Sequence, residues 1–430
     1  MAGKDYQLAY GKESFTVTLE EEIETEVIEP KSDLALENFQ AEFKKALGNP
    51  VASAPLTELV HEGEEVVIVA SDFTRLAYRT SGYLNLLLDE LNQAGIKDEN
   101  ITVVIASGTH RSQNEEEDIA VVGEEVYQRV DIEQHDCQAE DLKNLGNTSR
   151  GTEVKINRTV YEADRLILTG GINYHMIAGF GGGRKSILPG VAGYNSIQEN
   201  HSLALEATAD SNFAVEATKI RPGVLKGNIV AEDMLEAAQK LEPDFIINVV
   251  VNGNKEYLTF AAGDLKEAFI AGTKVAEEAF GIPVADKFDL ILTSCGGYPK
   301  DIQLYQSIKP LINAGYAIKE GGTIVLFSNC SQGVGNDKFL DWFDYGSPEK
   351  IREALHNEFS MLGYVALMAA EISTRNNVIL VSELADEVVA RVGMIPAASA
   401  QKALIKAKKL GEIKKAAIMP QGALTFPIVK

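Results

Sequence analysis

The chain has 430 residues, enough for two or three domains each with its own core, and 45% apolar with 24% charged residues describe an ordinary globular protein. A formal charge of −23 argues against a nucleic-acid partner, whose phosphates demand a basic face. No apolar run approaches the roughly 18 residues of a membrane span, so no membrane partner is expected either.

The N-terminal stretch MAGKDYQLAYGKESFTV carries no apolar signal core, which predicts a cytoplasmic protein. Cys137, Cys295 and Cys330 are odd in number and unpaired in spacing; they suit a reducing compartment and exclude a zinc ribbon. Against so acidic a background, a local cluster of Arg and Lys stands out as a site for an anionic small molecule.

In chain order, Tyr6 to Val27 alternates apolar residues with Thr and Glu and predicts short strands, with Ser32 or Asp33 capping a helix that runs to about Leu47. This part reads as scaffold. Glu64 to Ala70, EEVVIVA, is the first strongly buried strand, and it ends in Ser71-Asp72-Phe73-Thr74-Arg75 ahead of a helix through about Ala94. In open α/β sheets ligands gather at the carboxyl ends of such strands, which makes Asp72 and Arg75 site candidates; the plainer reading is a helix cap and a surface cation. Ile101 to Ala106 is a second such strand and ends in Ser107-Gly108-Thr109-His110-Arg111. An acidic helix from Glu115 to Gln128 and a strand from Val154 to Val160 follow, with His135 in a polar loop between them that has nothing to recommend it.

The chain is organised around Leu166 to Gly190, LILTGGINYHMIAGFGGGRKSILPG. Its apolar start is a buried strand that stops at Gly170-Gly171; His175 follows, and then Gly179, Gly181, Gly182 and Gly183 precede Arg184-Lys185-Ser186. A backbone so bare of side chains can approach a ligand closely and aim several N–H groups at one anion. A P-loop is the obvious rival, but it needs glycine directly before the lysine, where this chain has Arg184. A lysine beside an arginine in a tight cage has another use: desolvation and the neighbouring cation lower its pKa, so Lys185 becomes a nucleophile.

Beyond Gly190 a helix from about Ser196 carries His201, where a lone helical histidine is ordinarily structural. Asp244 to Val251 and Glu256 to Ala261 are strands around a turn at Asn252-Gly253-Asn254, and Leu265 to Phe280 is a helix linking the domains. After Gly281-Ile282-Pro283 the rhythm restarts, with strands at Phe288–Thr293, Thr323–Ser328 and Val378–Val381 and helices near Ile302–Ala314, Pro348–Ala370, Ala385–Val392 and Ser399–Lys409. Ala416 to Ile428 pairs as a last strand. Gly296-Gly297 ends the first of these strands, and Tyr305, Gln306 and Lys309 share a face of the next helix. His61 and His356 lie in Glu-rich helical surroundings and read as surface.

Two α/β units with polar clusters at their strand ends predict a cleft between domains as the ligand site. The expected division is 1–270, with 415–430 returning to it, and 271–414. Bases on both sides of one carbon are what a racemase needs, and Arg75 with Lys309 suits a carboxylate. No GxGxxG follows any strand, which weighs against a nicotinamide-dependent dehydrogenase, and the missing P-loop glycine weighs against a kinase or phosphate-binding module.

SDFTR, ASGTHR, NYHMIAGFGGGRKSILPG, QENH, GGYP and YQSIK together resemble the motifs of the nickel-pincer lactate racemase family. The likeness runs from about Glu64 to about Lys309. The resemblance implies two Rossmann-like α/β domains with the active site in the interdomain cleft, and an isomerase acting on a small 2-hydroxy acid, lactate first and malate, other short 2-hydroxy acids or sugar acids as alternatives. It implies that Lys185 is joined through a thioamide to pyridinium-3,5-bisthiocarboxylic acid mononucleotide, made by separate cofactor-synthesis enzymes, and that nickel is held by that group and by His201. Asp72 and Arg184 would contact the cofactor. His110 and His175 would be the acid and base around a reversible hydride transfer, with Arg75, Tyr305, Gln306 and Lys309 on the substrate. The C-terminal aromatic wall is open between Trp342 and Tyr364.

Overall fold

The computed structural model describes residues 3–31, 33–206 and 219–430, and these form two compact units. One takes the described residues of 32–207 and 219–279, the other those of 1–31 and 280–430.

In the first unit the apolar runs form a six-stranded sheet, in the order Tyr257–Gly263, Phe245–Val251, Arg165–Gly171, Val66–Ser71, Ile101–Ala106 and Asp131–Gln134. All pairings are parallel except that of Tyr257–Gly263, which returns antiparallel across the Asn252 turn. The central strands are buried along almost their whole length, as parallel strands covered on both faces must be. Numbered from the N-terminus of this unit, the strands lie 3-2-1-4-5-6, so the order reverses between Val66–Ser71 and Arg165–Gly171. That reversal splays the two following loops apart, and ligands bind there in doubly wound sheets.

The second unit has an all-parallel six-stranded sheet, Ile395–Ala397, Asn377–Val381, Ile318–Phe327, Phe288–Ser294, Lys415–Met419 and Glu24–Val27. Three sequence expectations fail here. Residues 415–430 do not return to the first unit, because Lys415–Met419 pairs with Phe288–Ser294 and Phe426–Val429 with Gly281–Val284. The N-terminal segment also belongs here, since Glu24–Val27 adds to the sheet beside Lys415–Met419. The boundary near 280 falls at the end of the helix Glu267–Phe280 rather than at 270.

Local signals moved several element ends. The first long helix is Phe39–Gly48, capped by Asn38 Oδ1 on Ala41 N at 3.0 Å; Ser32 lies outside the described residues and Asp33 sits in a turn. Two short 3-10 turns, Phe73–Tyr78 and Thr80–Gly82, precede the helix Leu84–Gln93. Gly123, with φ 93°, splits the acidic helix in two. The strand Glu153–Ile156 stops where Asn157 caps the helix Arg158–Glu162. Ser360 starts a fresh helix, Met361–Arg375, after Pro348–Asn357. Among the described residues no helix is long and apolar enough to cross a membrane.

Candidate active site

The strand Val66–Ser71 delivers Asp72 into the switch region as a buried carboxylate, and the 3-10 turn that follows throws Arg75 outward. Asp72 Oδ2 lies 2.6 Å from His110 Nδ1, and Asp72 Oδ1 accepts from the Thr74 hydroxyl at 2.7 Å. Burial pushes the Asp72 carboxyl up, but the hydrogen bond and charge of His110, the Thr74 hydroxyl and the Arg75 charge together bring it below its ordinary value. Asp72 is therefore ionised at neutral pH, and His110 Nδ1 must be the donor. The other ring nitrogen of a neutral His110 then carries the lone pair.

The loop bearing His110 is fixed from both sides. His110 N donates to Ser107 O at 2.9 Å, Ser107 Oγ to His135 O at 2.6 Å, and Gly108 N to Gly190 O at 2.9 Å. His135, which had nothing to recommend it in the sequence, is buried, and its Nε2 bonds Ala192 O at 2.9 Å. It pins the Pro189–Ala192 turn beside the His110 loop.

After Arg165–Gly171 the chain makes a small hairpin, Tyr174–His175 with Gly179–Phe180. His175 Nδ1 accepts from two backbone N–H groups, Ile177 at 3.3 Å and Ala178 at 3.2 Å. The glycines that follow serve a different purpose from the expected anion cradle. Gly181 N donates to Asn173 O at 2.8 Å and Gly183 N to Asn248 Oδ1 at 2.8 Å, so these N–H groups are spent on the protein. A Cβ on Gly182 would stand 2.6 Å from Asn248 Oδ1, and one on Gly183 2.8 Å from the Phe269 ring. They are glycines because the loop is packed hard against the sheet. The consequence is that the 3-10 turn Gly183–Ser186 is pressed into the unit, carrying Arg184 and Lys185 with it.

Arg184 is fully enclosed: Nη2 donates to Ala178 O at 2.6 Å, Nε to Ala231 O at 3.2 Å, and the guanidinium lies 4.6 Å over the Phe269 ring. No carboxylate faces it among the described residues. Lys185 follows, its amine pushed down to about 7, first by desolvation and then by the Arg75 and Arg184 charges. Among the described residues that amine has no hydrogen-bond or ion-pair partner. His201, buried on the helix Tyr194–Glu206, is pushed down to about 3 by burial and then by the Lys185 charge, so its imidazole is neutral and of the form that binds a metal.

The residue before it anchors that helix. Asn200 Nδ2 donates to Asp233 Oδ2 at 2.8 Å, and the fully buried Asp233 also accepts from Thr148 at 2.5 Å and Thr152 at 2.8 Å. Sequence reading missed Asp233 and Asn248. The signal for Asn248 was there: it is the polar residue inside the otherwise apolar strand FIINVVV.

In the first unit Asp72 thus meets His110 and Arg75, Lys185 feels the charges of Arg75 and Arg184 and acts on His201, and His175 is held by the backbone of the hairpin whose Ala178 O takes Arg184. Tyr305, Gln306 and Lys309 lie in the second unit on the helix Leu304–Gly315, whose first turn is tied down by Leu304 N to Gly333 O and Tyr305 N to Val334 O, each 3.1 Å. Gln306 is exposed, and the Tyr305 ring packs edge-on to Phe339. The N-terminal hairpin Gly3–Tyr10 with Glu13–Glu20, read from sequence as scaffold, grips the neighbouring GGYP loop: Tyr298 N donates to Gly11 O at 2.7 Å and Gly11 N to Asp301 Oδ2 at 2.6 Å. Of the two aromatics left open, Tyr364 is buried core, while Trp342 lies against Gly363.

Residues 10–212 match the description "Lactate racemase N-terminal domain" and residues 284–426 match "Lactate racemase C-terminal domain". The chain belongs to the lactate racemase family. It is 34% identical to a lactate racemase of Thermoanaerobacterium thermosaccharolyticum over 78% of this chain and 77% of that one. To a lactate racemase of Lactiplantibacillus plantarum it is 32% identical, over 89% of each. The apoprotein structure of the lactate racemase from Thermoanaerobacterium thermosaccharolyticum superposes with a TM-score of 0.88 at 30% identity, covering 99% of this chain and 100% of that one. A Thermotoga maritima protein at 18% identity, TM-score 0.66, covering 91% of this chain and 98% of its own, shares the fold. The named relatives are isomerases acting on a hydroxy acid, and the family uses nickel.

Proposed function

We propose that this chain racemises lactate, with other short 2-hydroxy acids as the alternatives, using a nickel-bearing pyridinium mononucleotide bound to Lys185. One observation carries the reading: an amine pushed down to about 7, without an acidic partner among the described residues, and electrostatically coupled to a neutral buried imidazole at position 201. Half neutral at pH 7, that amine is a nucleophile, so Lys185 fits a thioamide link. His201 fits nickel as a neutral nitrogen donor. Among the described residues no three His, Cys, Asp or Glu side chains cluster to hold a metal, so the remaining donors would come from the sulfurs and ring carbon of the bound nucleotide. When bound, the group supplies a hydride acceptor for the substrate α-carbon.

The chain's own residues supply the rest. Asp72 holds His110 with Nδ1–H inward and the Nε2 lone pair outward, ready to take the hydroxyl proton and, as imidazolium, to be stabilised by the Asp72 charge. His175 is the second imidazole at the substrate oxygen. Arg75, exposed and cationic, holds the carboxylate, and Tyr305, Gln306 and Lys309 are the substrate-binding candidates carried by the second unit. Desolvation lowers the Lys185 amine most, with the Arg75 charge next, and Arg184 adds its charge from within the protein.

The test is direct. Chain made together with cofactor-synthesis enzymes is expected to exceed its sequence mass by one mononucleotide adduct, absent in Lys185→Ala, and to interconvert the enantiomers of lactate in a chirally resolved panel of 2-hydroxy acids. Adduct-bearing protein that leaves every member of that panel unchanged defeats the proposal.

A further inference from the structure

Resting on that reading of His110 and Asp72, we infer that Gln113 is a positioning residue for the reaction: its side-chain amide ties the Asp72 turn to the His110 loop, and Asp118 fixes which way that amide faces. Packing does not supply this tie. None of the residues in the turn Phe73–Tyr78 is fully buried, Phe73 and Leu76 stand in solvent, and the His110 side chain is 45% exposed. The Asp72–His110 contact would by itself be a single hinge between two surface segments.

Gln113 makes the second. Three residues past His110, its Oε1 accepts from Phe73 N, the amide next to Asp72. The Gln113 backbone is in turn anchored to the sheet. Gln134, the last residue of the strand Asp131–Gln134, takes Gln113 N on its Oε1 at 2.8 Å and gives its Nε2 to Gln113 O at 3.0 Å. The next helix starts at once: Asn114 and Glu117 form a capping box, and the Arg111 guanidinium bonds both Glu117 oxygens, at 2.5 and 2.7 Å. One turn in, the buried Asp118 accepts Gln113 Nε2 on Oδ1 at 2.6 Å and Gln134 Nε2 on Oδ2 at 2.8 Å.

The direction of the amide follows from valence. Both Asp118 oxygens act as acceptors and the Phe73 N–H only donates, so Gln113 must turn Nε2 to Asp118 and Oε1 to Phe73. A flipped amide would set hydrogen against hydrogen at Phe73 and oxygen against oxygen at Asp118. Asp118 thus contributes the direction and Gln113 the link. When His110 takes the hydroxyl proton and becomes imidazolium, Asp72 must stay at its Nδ1 for the charge to be stabilised, and a turn free to swing gives up part of that contact.

A charge-neutral swap tests this. Gln113→Glu keeps an acceptor for Phe73 N but sets a carboxylate on Asp118, and Asp118→Asn leaves one oxygen for two amides. Together they restore every hydrogen bond, since the new carboxylate accepts from Phe73 N and from the new amide. In cofactor-loaded protein each single variant is expected to lose roughly tenfold in kcat, the worth of one hydrogen bond, with KM for lactate moving less than about twofold. The double variant is expected to recover to within about threefold of wild type, and on an Asp72→Asn background the Gln113→Glu loss should shrink below about twofold. Gln113→Ala, which removes the link without setting charges together, carries the same prediction should a single variant fail to fold. Nitrogen NMR of the histidine-labelled full chain reads the tie without cofactor, with the spectrum of His110→Gln assigning the ring. His110 is expected to keep its hydrogen on Nδ1 in wild type and in the double variant, and to show mixed tautomers in each single variant. Single variants with wild-type kcat and wild-type His110 spectra overturn the inference, as does a double variant as impaired as its parents or a loss undiminished beside Asp72→Asn. An inactive loaded wild type would instead defeat the racemase reading, and the His110 spectra would still decide the role of Gln113.

Discussion

Lys185 offers the most exacting prediction, because its reactivity as apoprotein follows from electrostatics alone. An ordinary lysine, near 10.5, is neutral in only about three parts in ten thousand at pH 7, whereas an amine pushed down to about 7 is half neutral. That is roughly a 1,500-fold gain in nucleophile, and since the side chain keeps some solvent contact, screening trims it to roughly a hundredfold. A limiting acylating reagent, followed by peptide mass spectrometry, should modify Lys185 faster than the exposed lysines, with a midpoint near neutrality. Arg75→Gln should move that midpoint upward. The stability consequence has a definite sign: folding depresses this pKa, so the cost of enclosing the charge is felt in full below about 7 and is relieved as pH rises toward the ordinary lysine value. Lys185→Met should therefore raise the melting temperature more on the acid side of neutrality than on the alkaline side. A labelling midpoint like that of a surface lysine would refute the argument.

Further expectations follow from the same contacts. Asp72→Asn removes the charge behind His110 and lets an amide hydrogen turn the ring; a charge-assisted bond of about 1.5–3 kcal/mol puts the loss of kcat at roughly tenfold to a hundredfold or more, measured by chiral chromatography. The Asp72 pKa is depressed on folding, so the dyad's stabilisation is complete above the ordinary carboxylate value and is lost as pH falls through the folded one, visible as acid sensitivity that Asp72→Asn abolishes. His201→Ala should keep the mononucleotide adduct by intact mass while losing nickel by elemental analysis. Asp233→Ala strands donors from Thr148, Thr152 and Asn200, and about 3 kcal/mol or more should disappear in urea denaturation. Gly182→Ala forces a side chain into a left-handed φ of 78° and into Asn248, costing about 2–4 kcal/mol by the same assay.

What the sequence determined by itself is what neighbouring residues decide among themselves. Runs such as VVIVAS and FIINVVV announce buried strands because parallel strands are covered on both faces, and polar clusters at their ends announce Asp72, Arg75, His110 and His175 because a strand end is where the core stops. Lys185 was legible because an arginine and a run of glycines surround it in the chain. Tertiary structure alone decided what depends on residues far apart. Lys415–Met419 lies in the second sheet because it meets Phe288–Ser294, a pairing no local pattern encodes. The glycines turned out to seat the loop on Asn248 and Phe269 rather than to cradle an anion, since what fills the space above a glycine comes from elsewhere in the chain. The Nδ1 contacts of two similar histidines were set apart by a carboxylate 38 residues away for one and by the backbone of a folded-back hairpin for the other. Hydrogen-bond partners, unlike hydrophobic periodicity, are a property of the packed chain.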